Sequence, residues 1–205
     1  MPSVAVLLAD GFETVEALAV VDVLRRAGVR TRTVSTMGSC QVISAQQVQV
    51  NADERLDACD LASVGCLVLP GGLPATRRMA ADRRVRELAG AFASRKALAA
   101  SGTAPVLLAE LSLLEGRRVS AFPGCEGLIP RQSRSELPVV VDRNLVTTRS
   151  VSHVLPYALA LVRLVAGSEA ADKARAGVGM TAEEERAACE TIAAALPAVG
   201  GPSHP

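Results

Sequence analysis

The sequence has no tryptophan and a single tyrosine, Tyr157, and aromatic residues make up only 2% of its 205 positions. A hydrophobic share of 49% is still enough to bury a core, so that core has to be built from valine, leucine and alanine. No apolar run reaches the roughly 18 residues that a membrane-spanning helix needs. The start, Met1-Pro2-Ser3-Val4, lacks the basic stretch and long apolar segment of a secretory signal. Strong charge of either sign is missing too: 22 basic and 21 acidic residues leave a net +1. Such a balance gives no field for nucleic acid or an anionic membrane, and the local cluster Arg83, Arg84 and Arg86 reads as a solvated helix face. The five cysteines, at 40, 59, 66, 125 and 189, make no CxxC pair and show no even spacing. They read as free thiols of a reducing cytoplasm rather than as disulfides or a zinc site. A cytoplasmic protein without metal or cofactor is expected.

What the sequence does have is alternation. Runs rich in valine and leucine are followed by longer segments of helical period, the pattern of an α/β sheet with helices on both faces. Strands are predicted at residues 4–8, 31–35, 66–69, 98–100, 119–121, 139–141 and 145–148, with a hairpin or paired short strands at 42–50. Helices are predicted at 13–27, ending at Gly28, at 82–95 behind the N-cap Asp82, and at 104–114, opening near Pro105. Further helices are expected at 154–165, from Glu169, and at 181–196. One domain over residues 1–199 is predicted, with 200–205 as a disordered tail.

In an open sheet of this kind ligands sit outside the carboxyl ends of the strands, which singles out three loops. The first, Ala9-Asp10-Gly11-Phe12-Glu13, leads into a helix whose first turn carries Glu16. A carboxylate there gains from the helix dipole, and Glu13 and Glu16 also read simply as first-turn acids. The second, Pro70-Gly71-Gly72, frees backbone N–H groups that can hold an anion or a developing oxyanion, although most such turns are only turns. The third, Ser101-Gly102-Thr103-Ala104-Pro105, is a small-residue strand-to-helix turn of the kind that forms a nucleophile elbow. Glycine adopts that turn without strain, so Gly102 also has a purely structural explanation.

Read together, these pieces resemble the ThiJ/PfpI superfamily, in the branch of the parkinsonism-associated deglycase. The matching text runs from Ala9-Asp10-Gly11-Phe12-Glu13 and Glu16 through Asp22 to Gly28 and Val68-Leu69-Pro70-Gly71-Gly72. It continues with Ala104-Pro105, Phe122-Pro123 and Leu145-Val146-Thr147-Thr148-Arg149. The resemblance implies a flavodoxin-like three-layer sandwich and a homodimer with its site near the interface. It further implies a glutamate matched by Glu16, an oxyanion hole beside the turn matched by Gly72, and a cysteine three residues before the elbow proline. That last position is Gly102 here. Ser101 lies one residue earlier, and alternation along the strand predicts a side chain directed away from the place of the cysteine, so it could serve as nucleophile only if the elbow shifted by one residue. His153, the one histidine before the tail, reads either as a proton relay or as a loop-bonded helix-start residue. Cys125, after Phe122, is on a loop near the expected pocket and reads as a spare thiol.

Without a side chain at residue 102, glyoxalase or deglycase chemistry has no evident nucleophile. Two readings stand. The favoured one is an enzyme in which Glu16 does acid–base work on a small molecule, of lyase, hydratase, isomerase or cyclase type, with the N–H groups of Gly72 and Thr103 as oxyanion donors. The other is a catalytically silent relative that binds a metabolite or partner protein. Neither nucleic acid nor membrane is an expected partner.

Overall fold

The computed structural model describes residues 3–193. Strand and helix alternate: β1 (Ser3–Leu8), α1 (Thr14–Arg26) and β2 (Arg30–Ser35) are followed by a hairpin of β3 (Gln41–Ile43) and β4 (Gln49–Asn51). Next come β5 (Glu54–Arg55), β6 (Val64–Leu69), α2 (Leu73–Ala81), α3 (Arg83–Arg95), β7 (Ala97–Ser101) and α4 (Pro105–Glu110). The last part holds β8 (Val139–Asp142), β9 (Leu145–Thr148), α5 (Val154–Ala166), α6 (Ser168–Gly177), α7 (Ala182–Ala188) and β10 (Cys189–Ala193).

Eight strands form one sheet in the order β10-β8-β9-β7-β6-β1-β2-β5, and only the β8–β9 pair within it is antiparallel. Helices α1, α5 and α6 pack together as one layer, and α2 touches α3 and α4 in another. Because helices cover both faces, every residue of β1, β7, β8 and β9 is buried, and their sequences need no polar alternation. This is the predicted α/β sandwich.

The strand order reverses where β1 meets β6: from β1 the chain steps outward to β2, then returns on the other side through β6 to β7. Residues that leave the carboxyl ends of β1, β6 and β7 therefore converge on one crevice.

Three sequence expectations need correction. Residues 119–121 form no strand; Val119 makes a single bridge to Arg134. The helix expected over 181–196 stops at Ala188, and the chain turns into β10, which pairs in parallel with β8 from Cys189↔Val139 onward. Open backbone donors and acceptors on the β8 edge outweigh the local helical preference of an alanine-rich segment. The helix expected at 104–114 is shorter, ending at Glu110. Helix α2 was not foreseen at all. The expected tail at 200–205 lies outside the described residues, among which no helix is long and apolar enough to cross a membrane.

Candidate active site

The first helix places the central carboxyl. Glu13 caps α1, its Oε2 accepting the Glu16 amide at 2.7 Å, while its own N–H donates to the Gly71 carbonyl at 2.9 Å. The loop after β1 is thereby tied to the loop after β6. Glu16, in the first turn, points back over the strand ends and is only 3% exposed.

Its carboxyl is gripped through one oxygen. Ser101 Oγ donates to Glu16 Oε2 at 2.8 Å, and Gly71 N donates to the same oxygen at 3.0 Å. Gly71 N also lies 3.2 Å from Ser101 Oγ, which accepts a share of that N–H. Burial is the largest influence on Glu16 and raises its pKa from 4.5 to about 7. The Ser101 bond lowers it, the Glu13 charge raises it and the Gly71 bond lowers it. No cation among the described residues takes part.

Gly102 stands at the elbow with φ +55°, a left-handed conformation that costs glycine nothing. A Cβ there would lie 2.7 Å from both oxygens of Glu16. The carboxyl thus fills the space where a side chain at residue 102 would begin. Gly72, with φ +97°, opens α2, and a Cβ on it would meet the Gly11 carbonyl oxygen at 2.2 Å. Among the described residues, neither the Gly72 amide nor the Thr103 amide donates to the protein. The two turns abut: a Cβ on Gly71 would stand 3.1 Å from Thr103 N. Thr103 Oγ1 pairs with Thr76 Oγ1 of α2 at 2.7 Å.

The DJ-1/PfpI family model matches residues 2–164. The chain belongs to that family. Protein DJ-1 homolog B of Arabidopsis thaliana is 35% identical over 82% of this chain, and Protein dj-1beta of Drosophila melanogaster is 30% identical over 86% of it and 96% of the fly protein. The chain spans 39% and 44% of the lengths of the two Arabidopsis relatives, homologs B and A. Among solved structures, oxidized DJ-1 of Toxoplasma gondii superposes with a TM-score of 0.85 at 27% identity, covering 88% of this chain and all of that one. Drosophila DJ-1beta gives 0.82 at 29% identity over the same shares. Membership in the DJ-1/PfpI family and its flavodoxin-like fold agree with the resemblance read from the sequence.

Of the sequence-predicted site residues, Glu16, Gly71, Gly72, Ser101, Gly102 and Thr103 come together. The Ser101 hydroxyl, expected to face away from the site, bonds Glu16 Oε2. Alternation fixes which way a Cβ leaves a strand, but Glu16 is long enough to bring its carboxyl across the strand end to meet the hydroxyl. Phe122 is 46% exposed, and its amide donates to the Gly102 carbonyl at 2.8 Å, so its loop leans on the elbow. Cys125 is half-buried on that loop, and burial, followed by Glu126 beside it, pushes its thiol up. His153 Nδ1 is 2.9 Å from Ser152 Oγ, and no bond joins the ring to Glu16. Burial and the Arg149 charge hold it below the usual histidine range. Cys66 is sealed in β6 with its pKa pushed to about 12. Tyr157, on α5, is a residue the sequence does not mark as part of the site; it is fully buried, its hydroxyl has no partner among the described residues, and burial, then the charges of Cys66 and Glu16, push its pKa up. As the sole tyrosine in a core of aliphatics, it was the residue whose identity could have drawn attention.

Proposed function

We propose that the protein is an enzyme in which Glu16 acts as general acid or base on a neutral small molecule, in chemistry of lyase, hydratase, isomerase or cyclase type. The observation that carries this reading is a buried carboxyl without a counter-cation among the described residues, with a pKa of about 7, set against Gly102. At neutral pH such a group is half protonated and can both give and take a proton, which is where general catalysis is most effective. Charge that develops on a substrate oxygen would be met by the Gly72 and Thr103 amides, which are free to donate. Covalent chemistry of a glyoxalase or deglycase kind would need a nucleophile at the turn, and residue 102 supplies none.

The test uses carbonyl compounds with an acidic α-hydrogen and α,β-unsaturated carbonyl compounds, with conversion followed by proton NMR. Glu16→Gln should lower turnover about 10²–10⁴-fold. If both proteins bind a compound equally and neither converts any, the silent-binder reading replaces this one. The family resemblance and the exposed Val15 at the start of α1 also support a homodimer burying at least ~1,000 Å². A monomer by light scattering at micromolar concentration would rule that out.

A further inference from the structure

A carboxyl that moves protons must present a defined oxygen, and the two oxygens of Glu16 have different surroundings. Oε2 faces two donors, Ser101 Oγ at 2.8 Å and Gly71 N at 3.0 Å. Oε1 takes no hydrogen bond from any described residue, yet it is not one of the sealed, unpartnered side-chain atoms of the structure. The small residual exposure of Glu16 therefore reaches Oε1.

We propose that Ser101 is a positioning residue that clamps Oε2 and so leaves Oε1 as the proton-carrying oxygen, turned to the substrate side above Gly102. This rests on the reading of Glu16 as the acid–base group.

The hydrogen-bond inventory supports the assignment. A serine hydroxyl has one proton and two lone pairs. Here the proton goes to Oε2 and a lone pair receives part of the Gly71 N–H. Oε2, confronted by two donors, is a poor place for a proton of its own, since a hydrogen there would point at other hydrogens. When the carboxyl is neutral, its proton belongs on Oε1. Space permits this pose: a Cβ on Gly71 would lie 2.4 Å from Oε2, and one on Gly102 would lie 2.7 Å from both oxygens. Two glycines leave room for the carboxyl and one serine holds it. Ser101 is wholly buried, so water does not compete for its hydroxyl.

The other titratable groups that face Glu16 do not supply the clamp. Glu13 is an anion at the helix cap and opposes ionisation of Glu16. The Tyr157 phenol, on the α5 side, is pushed well above its usual range and stays neutral.

The experiment is a carbon-13 NMR titration of the substrate-free protein labelled at glutamate carboxyls, with the Glu16 signal assigned by its loss in Glu16→Gln. In the unaltered protein the midpoint should fall near 7. Ser101→Ala removes a donor to the charged form, so the midpoint should rise by about one unit. Ser101→Cys keeps the volume with a weaker donor and should fall between the two. A midpoint unchanged in both variants would make Ser101 a packing residue and overturn the proposal, whatever Glu16 does. A midpoint near 4.5 in the unaltered protein overturns this proposal and the acid–base reading together. The expected shift, found in a protein whose Glu16→Gln variant keeps full turnover, upholds the clamp and removes only the catalytic role.

Discussion

Glu16 and Glu185 are both buried, at 3% and 6% exposure, yet the fold treats them in opposite ways. Glu185, in α7, is bonded by Arg163 of α5 and lies 3.4 Å from Arg175 Nε of α6. Both arginines also reach Asp172. Among the described residues Glu16 has a serine hydroxyl, one backbone amide and no cation. A buried carboxylate is ordinarily paired because leaving it unpaired is expensive. The first arrangement fastens three helices together at the edge of the molecule. The second keeps a carboxyl near the point of losing its proton, at the crevice where the sheet reverses. The counter-charge tells the two glutamates apart: Glu185 has one among the described residues and Glu16 has none.

The largest effect that could break this comparison is in the pH dependence of stability. In the unfolded chain Glu16 titrates at its ordinary 4.5, and in the folded protein at about 7. Between those values the folded state holds a proton that the unfolded state has lost, so stability falls as pH rises through the window and levels off above it. The group is almost fully buried, and the 2.5-unit gap corresponds to about 3 kcal/mol. Glu16→Gln does not titrate. Urea denaturation from pH 4.5 to 8 should therefore show the glutamine variant gaining about 3 kcal/mol on the parent, nearly all of it below pH 7.5. A difference that stays flat with pH would mean Glu16 is an ordinary carboxylate and that its isolation has no consequence.

Much of this contrast was legible before any coordinates. The apolar runs of β1, β6 and β7 announce buried parallel strands, and a buried sheet of that kind sends its loops to a common crevice. Gly71, Gly72 and Gly102 could be placed there because each lies within a few residues of a strand end, and Glu16 because it is in the first turn of the helix that follows β1. The bond from Ser101 to Glu16 was not legible, because it depends on where a side chain 85 positions away in sequence comes to rest. Helix α2 was hidden for another reason: it begins one residue after Gly72 with Pro74 in its first turn, so the turn signal masked a helix start. The C-terminal segment failed differently again. Its alanines favour a helix locally, and only the unpaired edge of β8 makes a strand of residues 189–193. Glu185, one turn before that edge, reads in sequence as one more acid in an acidic first turn, since its arginine partners lie in two other helices.

A smaller effect tests the paired member. Glu185→Ala should destabilise the fold, because Arg163 and Arg175 would keep their charges and lose a shared acceptor. Breaking a fully buried pair costs roughly 3–5 kcal/mol. Here the arginine side chains are 40% and 21% exposed, so water can take up part of what the glutamate provided, and Asp172 remains on hand. A loss of about 1–2 kcal/mol in urea denaturation at pH 7 is the expected result. Glu185→Gln retains acceptor geometry without charge and should lose about half as much. Neither change touches the crevice, so the titration midpoint of Glu16 should not move. Should Glu185→Ala shift that midpoint, the two glutamates would be coupled through α5, which carries both Arg163 and Tyr157, and the division of labour between them would fail.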